Sequence, residues 1–182
     1  MLTPASFIEQ CRACLANRGG PDEIAALTKQ ALVAQRRHPS QWAVDDLMHR
    51  ADDLMIVNLT LPPFTLSAIH DHGTWAVVGI AEGCEVEHLY EQHGRALVKS
   101  AELEVRAGET LVLGAATIHA VSNPLPTPAR GIHVYGKDLI VTQRRMWHPD
   151  TGAEMAMHLP TFEQWERELT AANQARRSDP GR

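Results

Sequence analysis

Ser67-Ala68-Ile69-His70-Asp71-His72-Gly73-Thr74-Trp75 carries two histidines separated by a single residue. On an extended strand that spacing puts both imidazoles on one face and Asp71 on the other. Neutral imidazole is the commonest side-chain metal ligand, and a same-face pair supplies two adjacent coordination positions. A lone His-x-His is as readily a solvated strand end with two unrelated histidines. A second segment tips the balance: Gly108-Glu109-Thr110, then Gly114-Ala115-Ala116-Thr117-Ile118-His119-Ala120-Val121-Ser122-Asn123. Here a third histidine stands in another candidate strand, followed by a turn-forming asparagine. Together His70, His72 and His119 make a three-nitrogen metal site drawn from two strands.

Around these segments the chain reads as short apolar runs punctuated by Gly and Pro. Strands are expected over Leu54–Leu61, Thr65–His70, Thr74–Ala81, Glu85–Glu91, Ala96–Val105, Thr110–Leu113, Ile118–Ser122, Ala129–Tyr135 and Leu139–Met146. Many short strands at regular spacing argue for an antiparallel barrel or jelly roll. Gly83 and His93-Gly94 mark hairpin turns. Upstream, Thr3 caps a helix with Pro4 at its first position, and Asn17 and Gly19 end it. A second helix starts near Pro21 and is broken by His38-Pro39. A third is expected from Ser40, carrying Trp42, Val44, Leu47 and Met48. Downstream, Thr161 with Gln164 resembles a capping box opening a short helix, and residues 171–182 are polar and expected to fray. One domain is expected over 1–182: N-terminal helices in 1–52, the barrel in 53–147, and a C-terminal extension in 148–182.

With 182 residues, 44% hydrophobic and 21% charged, the chain has ordinary globular composition and can bury a substantial core. A net charge of −5 argues against nucleic acid or an anionic membrane as the main partner. Met1-Leu2-Thr3-Pro4 opens neither a signal-type basic region nor an apolar one, so a cytoplasmic location is expected. Three cysteines fit a reducing compartment; Cys11-x-x-Cys14 lies within an apolar helical pattern and reads as helix packing.

His70-x-His72, then Gly83, then Gly108 and His119-x-x-x-Asn123 resemble the two motifs of the cupin superfamily. Within it, Gly131-Ile132-His133-Val134-Tyr135-Gly136-Lys137-Asp138-Leu139 resembles the thiol dioxygenases, the cysteine dioxygenase and 3-mercaptopropionate dioxygenase group. The resemblance runs from about Ile56 to Trp147. It implies a mainly β fold, the cupin double-stranded β-helix (jelly-roll) barrel, here with an N-terminal layer of α-helices. It also implies Fe(II) on His70, His72 and His119, although imidazole suits zinc and nickel as well. Many cupins add a glutamate ligand shortly after the histidine pair. Gly73, Thr74, Trp75, Ala76 and Val77 offer no carboxylate, as in the thiol dioxygenases.

In that family a serine–histidine–tyrosine relay places the tyrosine hydroxyl near oxygen, which implies catalytic roles for His133 and Tyr135. Gly131 stands where the family has serine. Orientation of His133 is thereby left to water or another group, or the relay is impaired. A substrate carboxylate calls for an arginine fork. The mammalian cysteine enzymes place it before the first metal motif, where residues 53–60 hold none. The bacterial 3-mercaptopropionate type places it nine residues after the tyrosine, which implies Arg144 as substrate-binding residue. Arg145 points the other way on a regular strand. Val77 stands where the mammalian type has a cysteine cross-linked to the tyrosine, so Tyr135 is expected unmodified.

The expected function is oxidation of a small mercapto-carboxylate, 3-mercaptopropionate ahead of cysteine, to its sulfinate by O2. A barrel with a redox-inert metal performing isomerase, lyase or hydrolase chemistry is one alternative. A non-catalytic barrel that binds a small acid is another. The partners expected are a small thiol and O2.

Overall fold

Thr3 starts the first helix by reciprocal capping: Ser6 N donates to Thr3 Oγ1 at 3.2 Å and Thr3 N donates to Ser6 Oγ at 2.9 Å. In the computed structural model, which describes residues 2–43, 46–94 and 96–178, this helix is α1 (Pro4–Ala16), and α2 follows over Pro21–Arg37. Asp22 and Glu23 in the first turn of α2, and Arg36 and Arg37 in its last, complement the helix dipole.

The expected third helix does not form. Pro39–Gln41 make one 3-10 turn, and Leu47–Ala51 become strand β1, paired with β2 (Leu54–Leu61). Leu47 and Met48 do follow Val44 at helical spacing in the sequence, but an open sheet edge offers a whole ladder of backbone hydrogen bonds, and the ladder wins over local periodicity. Val44, part of that expectation, lies outside the described residues.

The remaining strands are β3 (Ile69–His70), β4 (Ala76–Glu82), β5 (Cys84–His93), β6 (Ala96–Arg106), β7 (Thr110–Leu113), β8 (Ile118–Ser122), β9 (Ala129–Tyr135), β10 (Arg145–Trp147) and β11 (Glu154–Ala156). They form two antiparallel sheets, ordered β1-β2-β9-β4-β7 and β11-β10-β3-β8-β5-β6. The crossing-over of early and late strands in both sheets is the double-stranded β-helix topology that the sequence predicts.

Alternation on β9 sorts the two cores. Ile132 and Val134 face outward with Val77, Leu54 and Ile56, where α1 and α2 cover them with Phe7, Cys11, Ile24 and Leu32. Tyr135 faces inward with Met55, Ala76, Val78 and Ile80. The helices therefore pack on the outside of the barrel, and Trp42 is a core residue only 1% exposed. Cys11 is buried in the same layer, as expected for helix packing.

Two other departures bear on the site. The strand expected over Leu139–Met146 is a loop as far as Arg144, because the Asp138 side chain accepts from Ile140 N and its carbonyl from Thr142 N, closing a local turn. The C-terminal helix α3 runs over Leu159–Ser178, starting before Thr161 and continuing through residues 171–178 of the part expected to fray, the rest of which (179–182) lies outside the described residues. Its distal half is tied down: Leu66 N donates to Thr170 Oγ1 at 3.0 Å, and Asn173 Nδ2 donates to Phe64 O at 2.8 Å. Tertiary hydrogen bonds thus stabilise a segment whose polar composition alone would leave it loose.

Candidate metal centre

His70 ends β3 directly opposite His119 on β8, so backbone pairing alone sets the first and third histidines face to face. Their ring centroids are 4.4 Å apart. His72 lies beyond the end of β3 rather than on it, which corrects the simple strand reading of the pair. It is brought in by a turn at Gly73, whose φ of +61° only glycine adopts readily. A side chain at residue 73 would also collide with the Gln143 carbonyl oxygen. Asp71 points away, as its parity predicts, and grips the next strand: Arg145 N and Arg145 Nε each donate to its carboxylate at 2.8 Å.

The three imidazoles are buried, and one nitrogen from each lies within 4.8 Å of the others. Two of the rings are oriented from behind. His70 Nδ1 donates to Ala68 O at 3.0 Å, and His119 Nδ1 donates to Glu87 Oε2 at 2.5 Å. Both rings thus turn an Nε2 lone pair inward, and His119 Nε2 meets His72 Nε2 at 3.4 Å. This spacing suits a shared ion about 2.1 Å from each nitrogen. Burial first, and then the neighbouring His119, hold His70 and His72 well below the ordinary imidazole range, so both are neutral and ready to ligate. The donor set therefore fits a divalent metal, and no carboxylate belongs to it.

His70, His72, His119, His133, Tyr135 and Glu87 line one cavity of about 180 Å3. Phe162 of α3 covers it, its ring centroid 4.9 Å from that of His70, and Glu166 one turn later joins the lining. Tyr135 packs its ring 5.0 Å from His72, and its hydroxyl lies 3.3 Å from His133 Nδ1. Burial and the nearby Glu85 carboxylate push the Tyr135 phenol up, keeping it protonated. Ala76 and Val78 pack with Tyr135, Val77 faces the helices, and the Cys84 thiol donates to Glu104 at 3.1 Å. No thiol among them is aimed at Tyr135.

Glu85 and Glu87 are residues the sequence reading did not single out. Both are 0% exposed on the inner face of β5. Their only signal is parity, two glutamates two apart in a predicted strand, which a solvated face produces equally well. Glu85 Oε2 lies 3.3 Å from His133 Nε2, at ion-pair distance. Burial opposes charge on both groups, but each overcomes it in the other: Glu85 is held below its ordinary range and His133 above its own. For Glu87 burial prevails and pushes the carboxyl up.

Arg144 precedes β10 and is half-buried, its Nε enclosed without a hydrogen-bond partner among the described residues. Its charge is felt by His70, His72 and Tyr135, but it is not among the residues lining the histidine cavity; it borders a broader outer cleft of about 1020 Å3 with Gly73, Ala115, Leu139 and Thr142. Arg145 is turned away onto Asp71 and Glu154, as its parity predicts.

Two facing antiparallel sheets around three converging buried histidines define the class: a cupin-type double-stranded β-helix barrel with a candidate metal centre. No protein-family profile matches the chain. Among solved structures it is similar to a conserved protein with a double-stranded β-helix domain from Klebsiella pneumoniae, at 17% identity and TM-score 0.43, over 52% of this chain and 72% of that one. It is also similar to a cupin superfamily protein from Desulfitobacterium hafniense, at 13% identity and TM-score 0.41, over 50% and 74%. A third is a cupin 2 conserved barrel domain protein from Salinispora arenicola, at 17% identity and TM-score 0.38, over 46% and 62%.

Proposed function

We propose that the protein is a mononuclear non-haem iron thiol dioxygenase acting on a small mercapto-carboxylate, 3-mercaptopropionate or cysteine. The observation that carries this reading is the donor set: three buried imidazoles, His70, His72 and His119, with no carboxylate among them. When bound, ferrous iron supplies a centre at which thiolate and O2 meet and electrons pass from sulfur to oxygen. The overall change is R–S⁻ + O2 → R–SO2⁻, both oxygen atoms passing to sulfur.

The chain's own groups divide the remaining work. Arg144 offers its guanidinium, from the outer cleft, to the substrate carboxylate and so turns the thiol end toward the histidines. The Tyr135 hydroxyl, protonated and held beside His133, donates a hydrogen bond into the cavity where charge develops on oxygen. Glu87 holds His119 in one tautomer and makes its Nε2 a better donor. Phe162, Val78 and Leu61 keep the cavity apolar and limit access of water.

The test is oxygen uptake by the iron-loaded protein with 3-mercaptopropionate, cysteine and cysteamine, with the sulfinate product identified. Uptake with a carboxylate thiol is expected. Uptake with none of the three overturns the proposal, and turnover of another substrate without O2 would favour a redox-inert metal.

A further inference from the structure

Residue 131 has no room for a side chain. A Cβ there would run into the Gly79 carbonyl oxygen and lie 3.0 Å from Ile80 Cδ1, where β9 pairs with β4 beside the register shift between Ile80 and Glu82. A serine on this strand therefore cannot orient His133. On the opposite side of the ring Glu85 reaches in from β5, its Oε2 3.3 Å from His133 Nε2. Glu85 Oε1, Glu85 Oε2 and His133 Nε2 are all enclosed, and none has a hydrogen-bond partner among the described residues. The other ring nitrogen, Nδ1, lies 3.3 Å from the Tyr135 hydroxyl.

We propose that Glu85 is a positioning residue for Tyr135, acting through His133. It keeps a proton on His133 Nε2, so that Nδ1 is always the atom facing the Tyr135 hydroxyl. The alternative tautomer would set the Nε2 lone pair against the Glu85 carboxylate inside the barrel, 3.3 Å away. That arrangement is electrostatically unfavourable. With the proton on Nε2, a neutral ring accepts the Tyr135 O–H at Nδ1. A charged ring instead donates Nδ1–H to the phenol oxygen and frees the hydroxyl hydrogen to point into the cavity. In both states the phenol is anchored through one atom. The charged or titratable groups around the ring are Glu85 and Glu87 from β5, Tyr135 on its own strand, and His72 across the cavity.

The relay role given to Tyr135 rests on the proposed dioxygenase activity, whereas the Glu85–His133 pairing does not. The experiment therefore has two readouts. In zinc-loaded protein labelled with 15N-histidine, with His133→Gln used for assignment, long-range 1H–15N spectra report which ring nitrogens carry hydrogen. A proton on His133 Nε2 at every pH where the protein is folded is expected in the unaltered chain. An Nδ1–H tautomer there overturns the proposal. In Glu85→Gln the Nε2–H preference should weaken, and kcat for thiol oxidation should fall about tenfold or more while KM stays within about threefold. An unchanged tautomer and an unchanged kcat in a folded Glu85→Gln protein also overturn it. If Glu85→Gln does not fold, the spectrum of the unaltered protein decides alone. If no thiol supports oxygen uptake, the dioxygenase reading fails and the tautomer still decides the role of Glu85.

Discussion

Replacing Glu87 by glutamine keeps the shape of the side chain and removes its charge at the point where β5 supports the metal centre. His119 Nδ1 and Glu87 Oε2 are 2.5 Å apart, and their side chains are 1% and 0% exposed, so water cannot substitute for either partner. A hydrogen bond to a charged acceptor contributes about 1.5–3 kcal/mol and a neutral one about 0.5–1.5 kcal/mol, so the exchange removes about 1–1.5 kcal/mol of support for the ligating tautomer. Loss of such a partner commonly weakens metal binding by about 10- to 100-fold, and the lower end is expected here because the amide can still accept a hydrogen bond. Burial pushes the Glu87 carboxyl up, which means that its charged form is unfavourable in the metal-free fold. The metal-free variant should accordingly melt at or above the temperature of the unaltered protein, while metal affinity drops. Chelator competition for zinc and for ferrous iron, run beside thermal unfolding of the metal-free protein, separates the two effects. Affinity unchanged within about twofold, in a variant that folds normally, would show that Glu87 does not tune His119.

Arg144→Ala should weaken use of 3-mercaptopropionate and cysteine by about 2 kcal/mol or more in kcat/KM, and of cysteamine far less; equal losses in steady-state assays would remove Arg144 from substrate binding. Asp71→Asn keeps one acceptor but sets an amide N–H against the second of two Arg145 donors, each 2.8 Å from an almost fully buried carboxylate, so a stability loss of about 2–3 kcal/mol in denaturant unfolding is expected, with a raised KM because the residue next to Arg144 loses an anchor. Gly131→Ser should destabilise the barrel by more than about 2 kcal/mol and restore nothing to Glu85→Gln; a stable Gly131→Ser protein would contradict the packing of β9 against β4. Burial, with Cys14 adding to it, pushes the Cys11 thiol from 9.0 up to about 12. The fold therefore favours the protonated thiol, and the stability this contributes is intact below pH 9.0 and lost as pH rises toward about 12. Cys11→Ala should flatten that alkaline decline in urea midpoints, and an unchanged slope would refute the assignment.

The parts of the fold legible beforehand were those where one local rule acts without competition. β2, β7, β8 and β9 fall on the expected residues because apolar alternation and flanking turn residues agree there. Thr3 and Pro4 start a helix whatever surrounds them. Where two rules compete, tertiary contacts chose: Leu47 and Met48 follow Val44 at helical spacing yet join a sheet edge, and the polar end of α3 stays helical because Thr170 and Asn173 bond to the backbone of residues 64–66.

The amino-acid sequence by itself determined which residues form the candidate ligand set. Histidine spacing depends only on the sequence, so His70, His72 and His119 could be named as a set, while Arg144 was named from the family resemblance. Tertiary structure alone decided what surrounds them. That His70 pairs directly across from His119, that Glu87 and Glu85 are buried partners and not solvated charges, and that Phe162 covers the cavity all depend on which strands become neighbours. Burial and partnership are properties of pairs distant in sequence, and no local pattern encodes whether a glutamate on a strand meets water or an imidazole.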